Sequence, residues 1–367
     1  MTSTPLNSLD VQPYQLQSLL AGVNDSFARQ SGQVEVRCAQ ALGSEIYVGC
    51  SNGELLRFSI QPQGAAVPDS YGLLSRQAVV NDRPIQGITL LPSLYRALIL
   101  ADHQVYIYTL PSLDQIPPTV IKPIRNVVTV AVDEQHLRRP PPVDPSQPAD
   151  PVDFCVIKRS AISLYSLFKE RLFFQKEIPL PLGGFFARRT GQVLCVADKN
   201  YYNVINLELA SFLPVLPVSQ AQDGLQIKPS ITVISENEFL IVSWLGTSSL
   251  GLFVTGEGEP VRGTLEWPAH PDSISLDYPY ITALLPDETI QIHSIETQAI
   301  VQVVPAPADT QIAERKKLVA SAHGFFIPSI QHSGKLRKTA VCLVRRGGAR
   351  GPGELNGKET EEDVPAM

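Results

Sequence analysis

Short apolar runs recur along this chain in pairs, the two members of each pair separated by a small polar turn. The pairs read EIYVGCSNGELLRFSI from Glu45, RALILADHQVYIYTL from Arg96, DFCVIKRSAISLYSL from Asp153, QVLCVADKNYYNVINLEL from Gln192, EFLIVSWLGTSSLGLFV from Glu238 and PYITALLPDETIQIHSI from Pro279. A weaker seventh, GFFIPSIQHSGKLRKTAVCLV, begins at Gly324. Val, Ile, Leu, Phe and Tyr dominate, the composition of strands buried on one or both faces. Further apolar runs precede the pairs (VEVRCAQAL, IQGITLLP, VVTVAVDE, ITVISE, SISLDY), and others follow them (LLSRQAVV, RLFFQKEI, AIVQVV). Each unit therefore carries three to four strands, and unit starts lie about 46 residues apart on average, inside the ~40–50 residues of a propeller blade. Even strand spacing would also suit a sandwich, but seven such units consume nearly the whole chain as one ring. The expected fold is all-β, a seven-bladed β-propeller over 11–346.

The turns agree with this reading. Ser51-Asn52-Gly53 supplies the Asn-Gly pair that tolerates positive φ in a hairpin, and Asp102-His103, Asp198-Lys199-Asn200 and Pro286-Asp287 sit at the same point of their units. Tyr14 to Leu20 precedes the first unit and is expected to close the ring as a strand, a short helix being the alternative. His136 to Pro151 (HLRRPPPVDPSQPADP) cannot enter a sheet interior, because proline lacks the N–H of the ladder. It is expected as an exposed, polyproline-like loop within the third unit; Arg139 followed by three prolines also fits an SH3 ligand. Residues 1–10 are expected to be flexible and 347–367, almost without apolar side chains, a disordered tail.

Composition sharpens this picture. Prolines number 31 of 367 residues, and only 18% of residues are charged, against a usual ~25%. Long helices tolerate proline badly, so both figures suit many buried strands joined by turns. The net charge of −6 argues against nucleic acid as a partner, since phosphate binding needs a basic face. The most apolar stretch, Ile85 to Leu110, is broken by Pro92, Arg96, Asp102 and His103, and the N-terminus lacks the pattern of a signal peptide. A cytoplasmic protein is expected. Its five cysteines (Cys38, Cys50, Cys155, Cys195, Cys342) form no CxxC pair and read as reduced, mostly core residues. The sequon at Asn24 is then idle.

A search for chemistry returns nothing that assembles. The run around Gly357-Lys358 has Pro352 at its first glycine position and Glu359 where a phosphate loop needs a hydroxyl. Gly246-Thr-Ser-Ser-Leu-Gly251 misses the Gly-x-Ser-x-Gly spacing of a nucleophile elbow. His103, His136, His270, His293, His323 and His332 show no metal-ligand spacing and read as turn or surface residues. Trp244 and Trp267 read as packing between blades. Basic clusters at Arg315-Lys316-Lys317, Arg337-Lys338 and Arg345-Arg346 read as solvated surface. No catalytic, cofactor-binding or metal residue is assigned, no cofactor is expected, and the protein is not read as an enzyme.

Several stretches resemble the citron-homology (CNH) domain: EIYVGCSNGELLRF, KPIRNVVTVAVDE (Lys122 to Glu134), Cys155 to Pro181, VLCVADKNYYNVINL and, most specifically, Gly251 to Val304. The version resembled is that of the vacuolar-sorting tether subunits, the TGF-beta-receptor-associated protein family and its fungal counterpart in the CORVET complex. The resemblance covers about 10 to 345 and implies a β-propeller, a result the repeat count reaches separately. It also implies a non-catalytic module of an endosomal or vacuolar tether that engages a Rab-type small GTPase or other tethering-complex subunits, held peripherally on endosome or vacuole membranes through its partners. The alternative implied by the receptor-associated branch is a signalling adaptor that binds a receptor's cytoplasmic tail. Subunits of this family continue into an α-solenoid, whereas this chain passes into a Gly/Glu-rich tail, so it is expected to be one domain of a longer protein. The resemblance defines no binding residues.

Overall fold

Each paired run folds as the two middle strands of a four-stranded antiparallel sheet. The protein is described by a computed structural model for residues 14–20, 34–61, 70–79, 82–142, 144, 148–221, 224–306, 318–320, 325–328 and 340–345. The first blade pairs Val36–Leu42, Glu45–Cys50, Glu54–Gln61 and Ser70–Ala78 in chain order, and the second pairs Ile85–Leu91, Arg96–Ala101, Gln104–Thr109 and Ile124–Arg125. The third contains Val127–Val132, Val152–Lys158, Ala161–Leu167 and Leu172–Pro179. The fourth contains Phe186–Thr190, Val193–Ala197, Tyr201–Asn206 and Ser211–Pro217. The fifth contains Ile231–Ser235, Glu238–Trp244, Ser249–Thr255 and Leu265–Trp267, and the sixth Ser273–Asp277, Tyr280–Leu284, Ile290–Ser294 and Ile300–Val304. Together they form an all-β propeller.

The expectation of seven blades is corrected in number: six are built from consecutive strands, between Val36 and Val304. A further four-stranded sheet draws on both ends of the chain. Tyr14–Leu20 pairs with Ala340–Arg345, which pairs with Phe325–Pro328 and, through it, Leu318–Ala320. Tyr14–Leu20 is thus a strand, not a helix. Leu318–Ala320 lies beside both Ser273–Asp277 of the sixth blade and Val36–Leu42 of the first.

The core is a series of layers between blades rather than one centre. Middle strands are buried on both faces, which is why they read as continuous apolar runs rather than alternating ones. Tyr47, Ile99 and Tyr108 fill the layer between the first and second blades, and Leu240, Phe253 and Trp267 that between the fifth and sixth. A Cβ at Gly251 would lie 2.7 Å from the Trp267 ring, so only glycine lets the indole lie flat on its strand. Trp267 packs between blades as expected. Cys38, Cys50, Cys155 and Cys195 are buried and form no disulfide among the described residues. Asp102 and His103 both take positive φ, a turn whose twist matches the strands it joins.

Tyr14 fastens the N-terminal strand to the sixth blade. It is fully buried; its N–H donates to Gln302 Oε1 (2.9 Å) and its carbonyl accepts from Gln302 Nε2 (2.8 Å). Its hydroxyl donates to Asp277 Oδ2 at 2.6 Å.

The proline-rich segment does lie between the first two strands of the third blade, but its start is corrected. Asp133 caps a single helical turn, Glu134–Leu137, so His136 is helical and its Nδ1 accepts from the Asp153 N–H at 2.9 Å. Beyond it the chain is pinned: Arg139 donates to the Pro151 carbonyl (2.9 Å) and Tyr95 Oη to that of Pro142 (3.1 Å). Residues 1–10, Asn24, Arg315 to Lys317, His323, His332, Arg337-Lys338, Arg346 and 347–367, with the Gly357-Lys358 run, lie outside the described residues.

Candidate functional site: a cationic notch between the second and third blades

The strongly perturbed ionisable groups all belong to packing. Burial pushes the Cys155 thiol up to about 11 against the opposing pull of Arg189, lifts Tyr108 to about 12 and drives His293 down to about 4. Tyr47, Tyr202, Cys50 and Cys195 are raised further by the same cause. His293 is therefore a buried residue packed edge-on against Trp267, a correction to its expected surface place. Ser249, from the stretch that misses the nucleophile spacing, does meet a histidine: its Oγ is 3.0 Å from His270 Nδ1, and His270 Nε2 is 2.8 Å from the Lys228 carbonyl. Yet Ser249 has no exposed surface, so the pair clasps two segments and offers no nucleophile. His103 holds the Val127 carbonyl at 3.1 Å in a turn. No group of three or more metal-ligating side chains gathers among the described residues.

The surface differs from blade to blade, and the cause is legible in the chain. Outer strands of the first, third and fourth blades run nine, eight and seven residues, whereas that of the second is only Ile124–Arg125. The preceding segment carries Pro111, Pro117, Pro118 and Pro123, which cannot donate to a ladder. Pairing survives at Gln115, which bridges Tyr108, and the Ile116 N–H reaches the Ile107 carbonyl at 2.9 Å; then the chain turns away at Pro117. The face of the third blade opposite this gap is left partly uncovered.

The result is a notch of about 810 Å³ with Lys122, Pro123 and Arg125 on one wall and Lys158, Tyr165 and Leu172 on the other. Strand alternation places Lys158, Tyr165 and Phe174 on the same face of the third blade. Three rings step outward along that face: Phe154 stacks on Tyr165 at 5.6 Å, and Tyr165 meets Phe174 edge-on at 5.5 Å. Phe154 is buried and Phe174 is 49% exposed, so the steps run from core to solvent. One carboxylate stands nearby, Glu177, and it is occupied: Ser163 Oγ donates to it at 2.7 Å and Lys158 Nζ at 3.2 Å. Those bonds hold its carboxyl below the usual range. Lys122 and Arg125 are exposed.

A second feature is apolar. On the neighbouring outer edges Phe173 (59% exposed), Phe212 and Leu213 face solvent, with Leu209 (75%) on the turn that leads into Ser211–Pro217. Lys176 Nζ reaches the Glu208 carbonyl at 3.3 Å, which ties the two edges together.

None of the notch residues stood out as functional in the sequence. Lys122 and Arg125 fall in KPIRNVVTVAVDE and Lys158 in the run from Cys155, stretches that read as fold-forming. The one available signal was the density of prolines between Pro111 and Pro123.

Comparison with known proteins gives the chain its relatives. A family model described as the VPS3 N-terminal domain matches residues 31–306, well over half of the chain. Transforming growth factor-beta receptor-associated protein 1 of Mus musculus is 25% identical over 334 residues, 86% of this chain and 36% of that protein. Vacuolar protein sorting-associated protein 3 of Saccharomyces cerevisiae is 24% identical over 288 residues, 76% of this chain and 26% of that protein. The chain thus spans about a quarter to a third of the length of the curated relatives it matches. Among solved structures, the AfRom2 CNH domain superposes with a TM-score of 0.55 at 17% identity, covering 90% of this chain and 98% of that one. The Pan2 WD40 domain of Neurospora crassa reaches 0.63 at 8%, covering 93% and 98%, a likeness of fold alone. With the strand pattern and the match over 31–306 in agreement, the chain belongs to the VPS3 N-terminal domain family.

Proposed function

We propose that this propeller is a non-catalytic interaction module of an endosomal or vacuolar tethering subunit of the CORVET/HOPS kind. It docks a Rab-type small GTPase or another tethering-complex subunit and resides in the cytoplasm, peripherally on endosome or vacuole membranes through those partners. The observation that carries this reading is the family match, joined by strongly perturbed groups that are buried in the packing and by outer edges that expose apolar side chains. The sheet made from both chain ends is read as a seventh blade that completes the ring, supported by its inner strand lying beside the first and sixth blades. Among the described residues no helix is long and apolar enough to cross a membrane, in keeping with attachment through partners.

Capture of endosomal GTPases, each locked with GTP or GDP, on the immobilised chain tests the reading. Preferential retention of a GTP form is expected, and equal capture of both forms rejects the effector role. The relatives named for association with a TGF-beta receptor favour a second reading, an adaptor for a receptor's cytoplasmic tail. In that case a tail peptide would be retained whatever the nucleotide.

A further inference from the structure

We propose that the notch between the second and third blades is a docking site for an extended acidic peptide segment that carries an aromatic or aliphatic anchor. The argument starts from charge. The chain as a whole is acidic, at −6, yet Lys122 and Arg125 stand exposed at one recess, beside a Lys158 whose charge is balanced by Glu177. A local cationic spot on an acidic protein attracts carboxylates, which is how charge complementarity selects a partner.

Shape narrows the choice. About 810 Å³ recessed between two blades accepts side chains, whereas a flat bilayer would touch only its rim. One wall carries the half-buried Tyr165, and the half-exposed Phe174 stands beside it with ring centroids 5.5 Å apart, so a ring or a leucine laid against the pair would bury apolar surface. The same step borders Leu172–Pro179, an outer strand at the edge of its sheet, and an extended segment running along it would turn every second side chain, anchor and carboxylate alike, towards the face that carries the rings and Lys158. The missing length of the second blade's outer strand leaves room for such a segment.

This inference rests on reading the propeller as a docking module, but its test contains no GTPase, so either can fail alone. The probe is a fluorescein-labelled peptide of about ten residues with glutamates and one phenylalanine or leucine at every second position and serine between them, titrated with the intact chain and followed by polarisation. Its partners are the same peptide with glutamine for glutamate, and vesicles of phosphatidylcholine with phosphatidylserine. Saturable binding of the acidic peptide is expected, weakened about tenfold by the glutamine version or by Lys122→Gln with Arg125→Gln, because each removes the ionic contacts. Both substituted residues are exposed, and circular dichroism confirms that the variant folds. Phe174→Ala, at a second exposed position, should weaken binding several-fold without altering its salt dependence. Equal affinity for the two peptides, no loss in either variant, or binding to the vesicles but not to the peptide would each overturn the proposal.

Discussion

Replacing Gln302 by alanine should destabilise the protein far more than the exposure of its strand suggests. Ile300–Val304 is an outer strand whose neighbours Val301 and Val303 face solvent, but Gln302 is buried and its amide serves as a strand partner for Tyr14. The substitution leaves the N–H and the carbonyl of a fully buried residue without that partner, and each such group costs about 1–3 kcal/mol. Partial access of water lowers the sum to about 2–4 kcal/mol. Urea unfolding followed by tryptophan fluorescence measures it; with a slope of about 3 kcal/mol/M the midpoint falls by about 1 M. Val303→Ala, on the exposed face of the same strand, serves as control and should stay within about 0.5 kcal/mol of the parent. Gln302→Glu keeps an acceptor for the Tyr14 N–H but has no donor for its carbonyl, so its loss should be intermediate or larger. If Gln302→Ala moves the midpoint no more than Val303→Ala does, the amide is not what fastens the N-terminal strand.

Two further outcomes follow from buried polar groups. Tyr202 Oη donates to the Val242 carbonyl (2.7 Å) and accepts from the Ser230 N–H (3.0 Å), joining the fourth blade to the fifth; Tyr202→Phe should cost about 2–3 kcal/mol in the same assay, and a change below about 0.5 kcal/mol would contradict the joint. Burial holds the folded-state pKa of His293 at about 4, against about 6.5 in the unfolded chain, so between those values the unfolded state binds the extra proton. Its contribution to stability is present above about pH 6.5 and is lost as pH falls, about 2 kcal/mol between pH 7 and 5. His293→Gln should flatten that part of the profile, and an equal fall in variant and parent would exclude His293 as the source.

Much of the fold was legible in the chain because middle strands of a blade are buried on both faces. Continuous apolar runs such as EFLIV from Glu238 announce themselves, and so do turns such as Asp102-His103. Phe186–Thr190 was not legible. Its two arginines mask a strand, and only the folded molecule supplies their partners: Arg189 donates to the Gly191 carbonyl at 2.9 Å and lies against Cys155, and the Arg188 guanidinium covers the Phe186 ring at 4.3 Å. The short outer strands Ile124–Arg125 and Leu265–Trp267 were hidden for the opposite reason, being too brief to show a period.

The sequence by itself determined a repeating all-β architecture and the place of the proline-rich segment. Each follows from local rules: residue type against strand burial, and proline against the ladder. Only the tertiary structure decided how the chain ends meet in one sheet and which cations converge. Lys122 and Lys158 are far apart in the chain, and their juxtaposition depends on two blades packing side by side. The notch exists because prolines cut one strand short beside a neighbour that keeps its full length. That is a relation between blades, set by side chains distant in sequence, and no local pattern encodes it.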